Sequence, residues 1–150
     1  MAIDHRRLNM VSLRQKPVNL LRIPDCLSGS VWFSKLDVQA AYNQILIKPA
    51  DRYKTAFSTC KGQFQYKRLS VPAVFCRLAQ TLLKGLSFSR TLSFLDEVIL
   101  PAWSTDYMLE SLDLVVSRFQ EAHIKMKPSK CVSFAQEIEF LGQIINTQGK

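Results

Sequence analysis

Three carboxylates stand where carboxylates are seldom found. Asp37 lies near the end of the apolar run SVWFSKLDV (Ser30 to Val38), and Asp96 and Glu97 sit side by side inside SFLDEVIL. An acid inside an apolar run is paired, exposed at a turn, or bound to a metal, because an unpaired buried charge is costly. Hard carboxylate oxygens suit Mg²⁺. One carboxylate at a strand end, with an acidic pair at a neighbouring hairpin tip, is an arrangement that can hold two such ions. A solvated acidic hairpin tip is the plainer reading of the same residues, and the residues alone leave both open.

The elements that must position these groups follow from hydrophobic period and turn residues. Ser30 to Val38 reads as a strand, and Ala40 to Gln44 as a short helical turn. Ile45 to Ile47, Thr55 to Thr59 and Gln63 to Leu69 read as strands, with a turn at Pro49 to Arg52. Pro72 to Leu86 places Phe75, Leu78, Ala79, Leu82 and Leu83 on one face, with proline suited to the first turn of a helix. Thr91 to Leu100 reads as two short strands with Asp96–Glu97 at the bend. Asp106 to His123 reads as a helix whose apolar face is Leu109, Leu112, Val115, Val116, Phe119 and Ala122. Lys127 to Lys130 is a break, and two or three strands follow, including Ile138 to Ile145. The irregular mixture predicts an α+β fold.

Composition narrows the class of partner. The chain has 150 residues, 47% hydrophobic and 21% charged, the balance of one globular domain. Its net charge of +8 favours polyanions such as nucleic acid. Cys26, Cys60, Cys76 and Cys131 form no C-x-x-C pair, which argues against zinc. The charged start predicts no secretory signal, and no apolar run is long enough to span a membrane. The expectation is an intracellular, non-secreted protein with free thiols.

The residues also carry a resemblance. FSKLDVQAAYNQILIKPADRYKTAF (33–57) is similar to the block of gypsy-type reverse transcriptases, from the Pol polyprotein of LTR retrotransposons, that reads roughly FSKLDLRSGYHQI-x-I-x-x-x-D-x-x-KTAF. AIDHRRLN (2–9), IPDCL (23–27), PAVFCRL (72–78), FLDEVIL (94–100) and KMKPSKCVSFAQEIEFLGQIINTQG (125–149) resemble further blocks of that family, in family order. The resemblance implies a right-hand polymerase palm with partial fingers, a small antiparallel sheet packed on helices. It implies RNA- and DNA-templated DNA synthesis assisted by two Mg²⁺ ions, in a cytoplasmic particle or the nucleus. The partners would be a template-primer, a dNTP, and other Pol segments or a second chain. Asp37, Asp96 and Glu97 would be the catalytic metal ligands, and Tyr42 the gate against a ribose 2′-hydroxyl. Lys130 would contact nucleic-acid phosphate, and Leu141–Gly142 would belong to the hairpin that grips the primer.

Three departures from the family pattern bear on activity. Glu97 stands where the family has a second aspartate, and Phe94 where it has tyrosine. Between Leu69 and Pro72 lies only Ser70–Val71, where the family carries a longer stretch of the type P-F-G-L-x-N-A. The matching blocks begin inside the fingers and stop after the primer-gripping hairpin, so residues 1–150 are expected to form a single domain without thumb, connection or ribonuclease H regions. Two readings follow: a reverse-transcriptase domain whose polymerase activity is weak or absent in this form, or a non-catalytic retroelement remnant, either a pseudogene product or a co-opted nucleic-acid-binding or interaction module.

Overall fold

The computed structural model describes residues 27–68, 72–87 and 89–147, apart from the side chains of Tyr42, Pro72 and Ala73. The blocks at 2–9 and most of 23–27, the Ser70–Val71 connection and Gly149 lie outside the described residues. A four-stranded antiparallel sheet organises the rest. Strand β1 (Trp32–Asp37) is joined on one side by β5 (Glu97–Ala102), itself paired with β4 (Leu92–Phe94), and on the other by β6 (Val132–Ala135).

Side chains alternate across this sheet. Leu36, Val98, Leu100 and Ala102 face two helices, α1 (Pro72–Leu82) and α2 (Thr105–Glu121), and bury against Phe75, Ala79, Leu83, Met108, Val115 and Phe119. Phe33, Leu92 and Ile99 face the other way, onto a hairpin made of β7 (Glu137–Phe140) and β8 (Gln143–Asn146), through Ile138, Phe140 and Ile145. The predicted α+β architecture is present: helices on one face, a hairpin on the other. Helix α1 is docked on the sheet, despite the short connection before it. Among the described residues no helix is long and apolar enough to cross a membrane.

Pro101 sits within β5 without breaking it. The Ala102 carbonyl accepts from Val31 on the β1 side, at 2.8 Å. Alternation therefore turns the Pro101 nitrogen to the opposite edge, where β4 has already ended, and no ladder bond is lost.

Several boundaries differ from the sequence reading. Ile45 to Ile47 is not a strand; Leu46 makes an isolated bridge with Arg68. Pro49–Thr55 is a 3-10 helix, so the strand starts at Phe57 and β2 (Phe57–Thr59) pairs with β3 (Gly62–Phe64). Within that helix, the hydrogen bond to Lys54 at 2.6 Å holds the Asp51 carboxyl below its ordinary range and the Lys54 amine above its own. Helix α1 stops at Leu82 rather than Leu86. In α2 the buried stripe is Met108, Ser111, Val115 and Phe119, and Leu109 is exposed.

Candidate active site

The alternation that buries Phe33 also places Lys35 and Asp37 on the hairpin side of β1. Asp37 is directly opposite Glu97 in the β1–β5 ladder, so both carboxylates leave the same face. Asp37 is held at three points. Its N–H donates to Cys131 Sγ at 3.4 Å, its carbonyl accepts from Lys127 N at 2.8 Å, and its carboxylate meets Lys130 Nζ at 3.7 Å. The residue is buried, while the Lys130 side chain is largely exposed.

The acidic pair is not the bend that the sequence predicts. Phe94 and Glu97 close the β4–β5 ladder, and the two-residue turn between them is Leu95–Asp96. Glu97 is therefore the first residue of β5, not a tip residue. Leu95 has φ +53°, a conformation that such turns normally give to glycine. This turn brings the Asp96 carbonyl to Val38 N at 2.9 Å, so Asp96 adjoins the end of β1.

A second two-residue turn lies opposite. Leu141 (φ +54°) and Gly142 (φ +73°) connect β7 to β8, and two positive φ values suit the right-handed twist of a hairpin. Phe94 and Phe140 meet edge to face at 6.5 Å and fasten the two hairpins together. Between the tips is a cleft of about 380 Å³, lined by Lys35, Phe94, Leu95, Asp96, Glu97, Glu139, Leu141 and Gly142.

The structure thus brings Asp37, Asp96 and Glu97 to one end of one sheet, and Leu141–Gly142 across the cleft from the last two. Lys130 is at Asp37. Tyr42 belongs to the 3-10 turn Ala41–Gln44, and its side chain lies outside the described atoms. The sequence reading missed Lys35 and Cys131. Two-residue spacing from Asp37 on one strand was the available sign for Lys35; Cys131 gave none, because its contact comes from 94 positions away.

The donor set fits a hard divalent cation: carboxylate oxygens at adjoining strand ends, one of them buried. Among the described residues no group of three or more His, Cys, Asp or Glu can hold a metal ion by itself. Such an ion would complete its shell with water or substrate phosphates, as Mg²⁺ commonly does.

Comparison with known proteins places this fold in a family. The family model described as reverse transcriptase (RNA-dependent DNA polymerase) matches residues 3–145. The retrovirus-related Pol polyproteins of transposons 297 and 412 of Drosophila melanogaster are 30% and 31% identical, over 98% and 99% of this chain. The chain spans 14% and 13% of their lengths. Among solved structures, the foamy viral protease-reverse transcriptase in complex with an RNA/DNA hybrid superimposes with a TM-score of 0.83 at 22% identity, covering 97% of this chain and 21% of that one. The same enzyme in complex with dsDNA gives 0.78 at 22% identity, covering 99% and 32%.

Proposed function

Because this chain belongs to the reverse transcriptase (RNA-dependent DNA polymerase) family, we propose that the end of its β1–β5 ladder is a nucleotidyl-transfer site, with Asp37 and Asp96 as the principal holders of Mg²⁺. The chain is a reverse-transcriptase domain of the retrotransposon Pol type, and its α+β architecture is that of a polymerase palm with part of the fingers. Residues 1–150 act as one unit. The observation that carries the reading is the placement of Asp37 opposite Glu97, with Asp96 in the adjoining turn.

The partners are an RNA or DNA template-primer and a dNTP. When bound, two Mg²⁺ ions supply activation of the primer 3′-oxygen and stabilisation of the departing pyrophosphate. The chain's own residues do the positioning. Asp37 is fixed by Cys131 and Lys127 through its backbone, so its carboxylate is presented in one direction. Lys130, largely exposed beside Asp37, would contact a nucleic-acid phosphate. The Leu141–Gly142 turn bears on the primer strand across the cleft. Tyr42 carries the discrimination against a 2′-hydroxyl. Glu97 is a third carboxylate on the same face, one methylene longer than the family's aspartate.

A second reading is a binding module without catalysis. It is favoured by the lysine that stands against each of Asp37 and Glu97. Mg²⁺-dependent primer extension on poly(rA)/oligo(dT) separates the two. Weak extension that Asp37→Asn abolishes, with duplex binding retained, is the expected result. Extension that survives Asp37→Asn overturns the site. Duplex binding without extension from either protein establishes the second reading.

A further inference from the structure

Glu97 and Lys35 lie on the same sheet face, on the diagonal between two rungs of the β1–β5 ladder that are separated by Leu36–Val98: Asp37 opposes Glu97 and Lys35 opposes Ile99. Lys35 Nζ reaches Glu97 Oε1 at 3.7 Å and donates to the Glu139 carbonyl of β7 at 3.2 Å. Both side chains are largely withdrawn from solvent, at 21% and 31% accessibility, where a charge pair is screened less than at an open surface. One ammonium therefore bridges the acidic turn and the opposite hairpin, on the wall of the cleft they share.

We infer that Lys35 is the partner of Glu97, and that this pair is a positioning link that sets the spacing between the acidic turn and the β7–β8 hairpin, Glu97 being withdrawn from metal coordination. The inference rests on the site reading above. Side-chain length explains why glutamate serves. An aspartate would retract the carboxylate by roughly one bond, about 1.5 Å, and at 3.7 Å the contact is already near the outer reach of an ion pair. Glu97 has thus exchanged the second family carboxylate's position for contact with Lys35. The link holds Leu141–Gly142 in register with Asp96 across the cleft, which is where a primer end and a metal-bound nucleotide have to meet.

Two measurements on the whole chain test it. Amide hydrogen exchange of residues 137–146 reads the link; water-proton relaxation with Mn²⁺ alone as the probe reads the metal. Lys35→Met and Glu97→Gln should each speed exchange in the hairpin severalfold, and the double variant should be no faster than Lys35→Met, since both changes break one link. Glu97→Asp should behave as Glu97→Gln does. Asp37→Asn and Asp96→Asn should weaken Mn²⁺ binding on the order of tenfold or more, while Glu97→Gln leaves it nearly unchanged. Loss of Mn²⁺ affinity in Glu97→Gln equal to that in Asp96→Asn overturns the inference, as does hairpin exchange indifferent to Lys35→Met and Glu97→Gln. Mn²⁺ binding untouched by Asp37→Asn and Asp96→Asn refutes the site reading instead, and hairpin exchange still decides the link.

Discussion

At the scale of single residues, Leu95 is one of the non-glycine residues held at positive φ. Its φ of +53° places a Cβ in the left-handed region, at a cost of about 1–2 kcal/mol. Its side chain is partly exposed, so little burial offsets this. Leu95→Gly removes the strain but adds freedom to the unfolded chain worth roughly 0.5–1 kcal/mol. The expected outcome is a net gain of up to about 1 kcal/mol, read as a higher urea midpoint with unchanged slope. A lower midpoint would show that the leucine's packing at the cleft outweighs its backbone strain. The same residue explains why the site was legible only in part. Asp37 and Asp96 stood out because acids in apolar runs are rare, and both are at the end of the sheet. The assignment of Asp96–Glu97 to the bend shifted by one position because the turn is built on a leucine with positive φ, and nothing in a leucine announces that. Lys35 was passed over because a lysine in a strand is ordinarily solvated, and its carbonyl partner is 104 residues away.

At the scale of elements, α2 is the best-specified piece of the chain. Ser104 Oγ accepts from Tyr107 N at 3.2 Å and caps the helix, Asp106 adds a negative charge in the first turn, and His123 leaves in the left-handed conformation that ends it. Ser104→Ala should cost about 1 kcal/mol, a fall in Tm of about 2–4 °C for a chain of this size, measurable by circular dichroism. The helix was legible from period alone, but its buried stripe was not. The sequence pointed to Leu109, whereas Met108 and Ser111 are fully buried and Leu109 is exposed. A small polar residue at a tight helix–sheet contact has no hydrophobic signature; Ser111 fits there because it is small and its hydroxyl accepts from Arg90 at 3.3 Å. The strands before α1 were over-read for a similar reason. Ile45–Leu46–Ile47 has strand-forming residues, yet its neighbours offer only one bridge, and propensity without a partner makes no ladder.

At the scale of the whole molecule, the net charge of +8 suits the chain to the template-primer proposed as its partner. Binding that neutralises about four phosphates should weaken on the order of a hundredfold between 50 and 200 mM salt. Fluorescence anisotropy with an RNA/DNA hybrid measures this slope directly. A flat response would mean that the positive charge is not the contact surface. The fold class was legible throughout, since mixed elements with two helical periods admit few other arrangements. The strand order was not, because β1 takes its neighbours from late segments, β5 and β6, rather than from the strands next to it in sequence.

That strand order has a consequence in time. Chains emerge from the ribosome at about 5–20 residues per second, so β1 is made several seconds before Ala102 completes its first partner, and waits again for Ala135 to complete the second. Until Ala102 is made, Trp32, Phe33 and Leu36 are on a strand with both edges open, the state that invites wrong pairing and chaperone capture. Local pieces, β2–β3 and α1, can form meanwhile; the sheet that carries Asp37 cannot. Synthesis arrested anywhere before residue 102 leaves the first carboxylate on a strand with no ladder to hold it, and the nascent chain at its most adhesive.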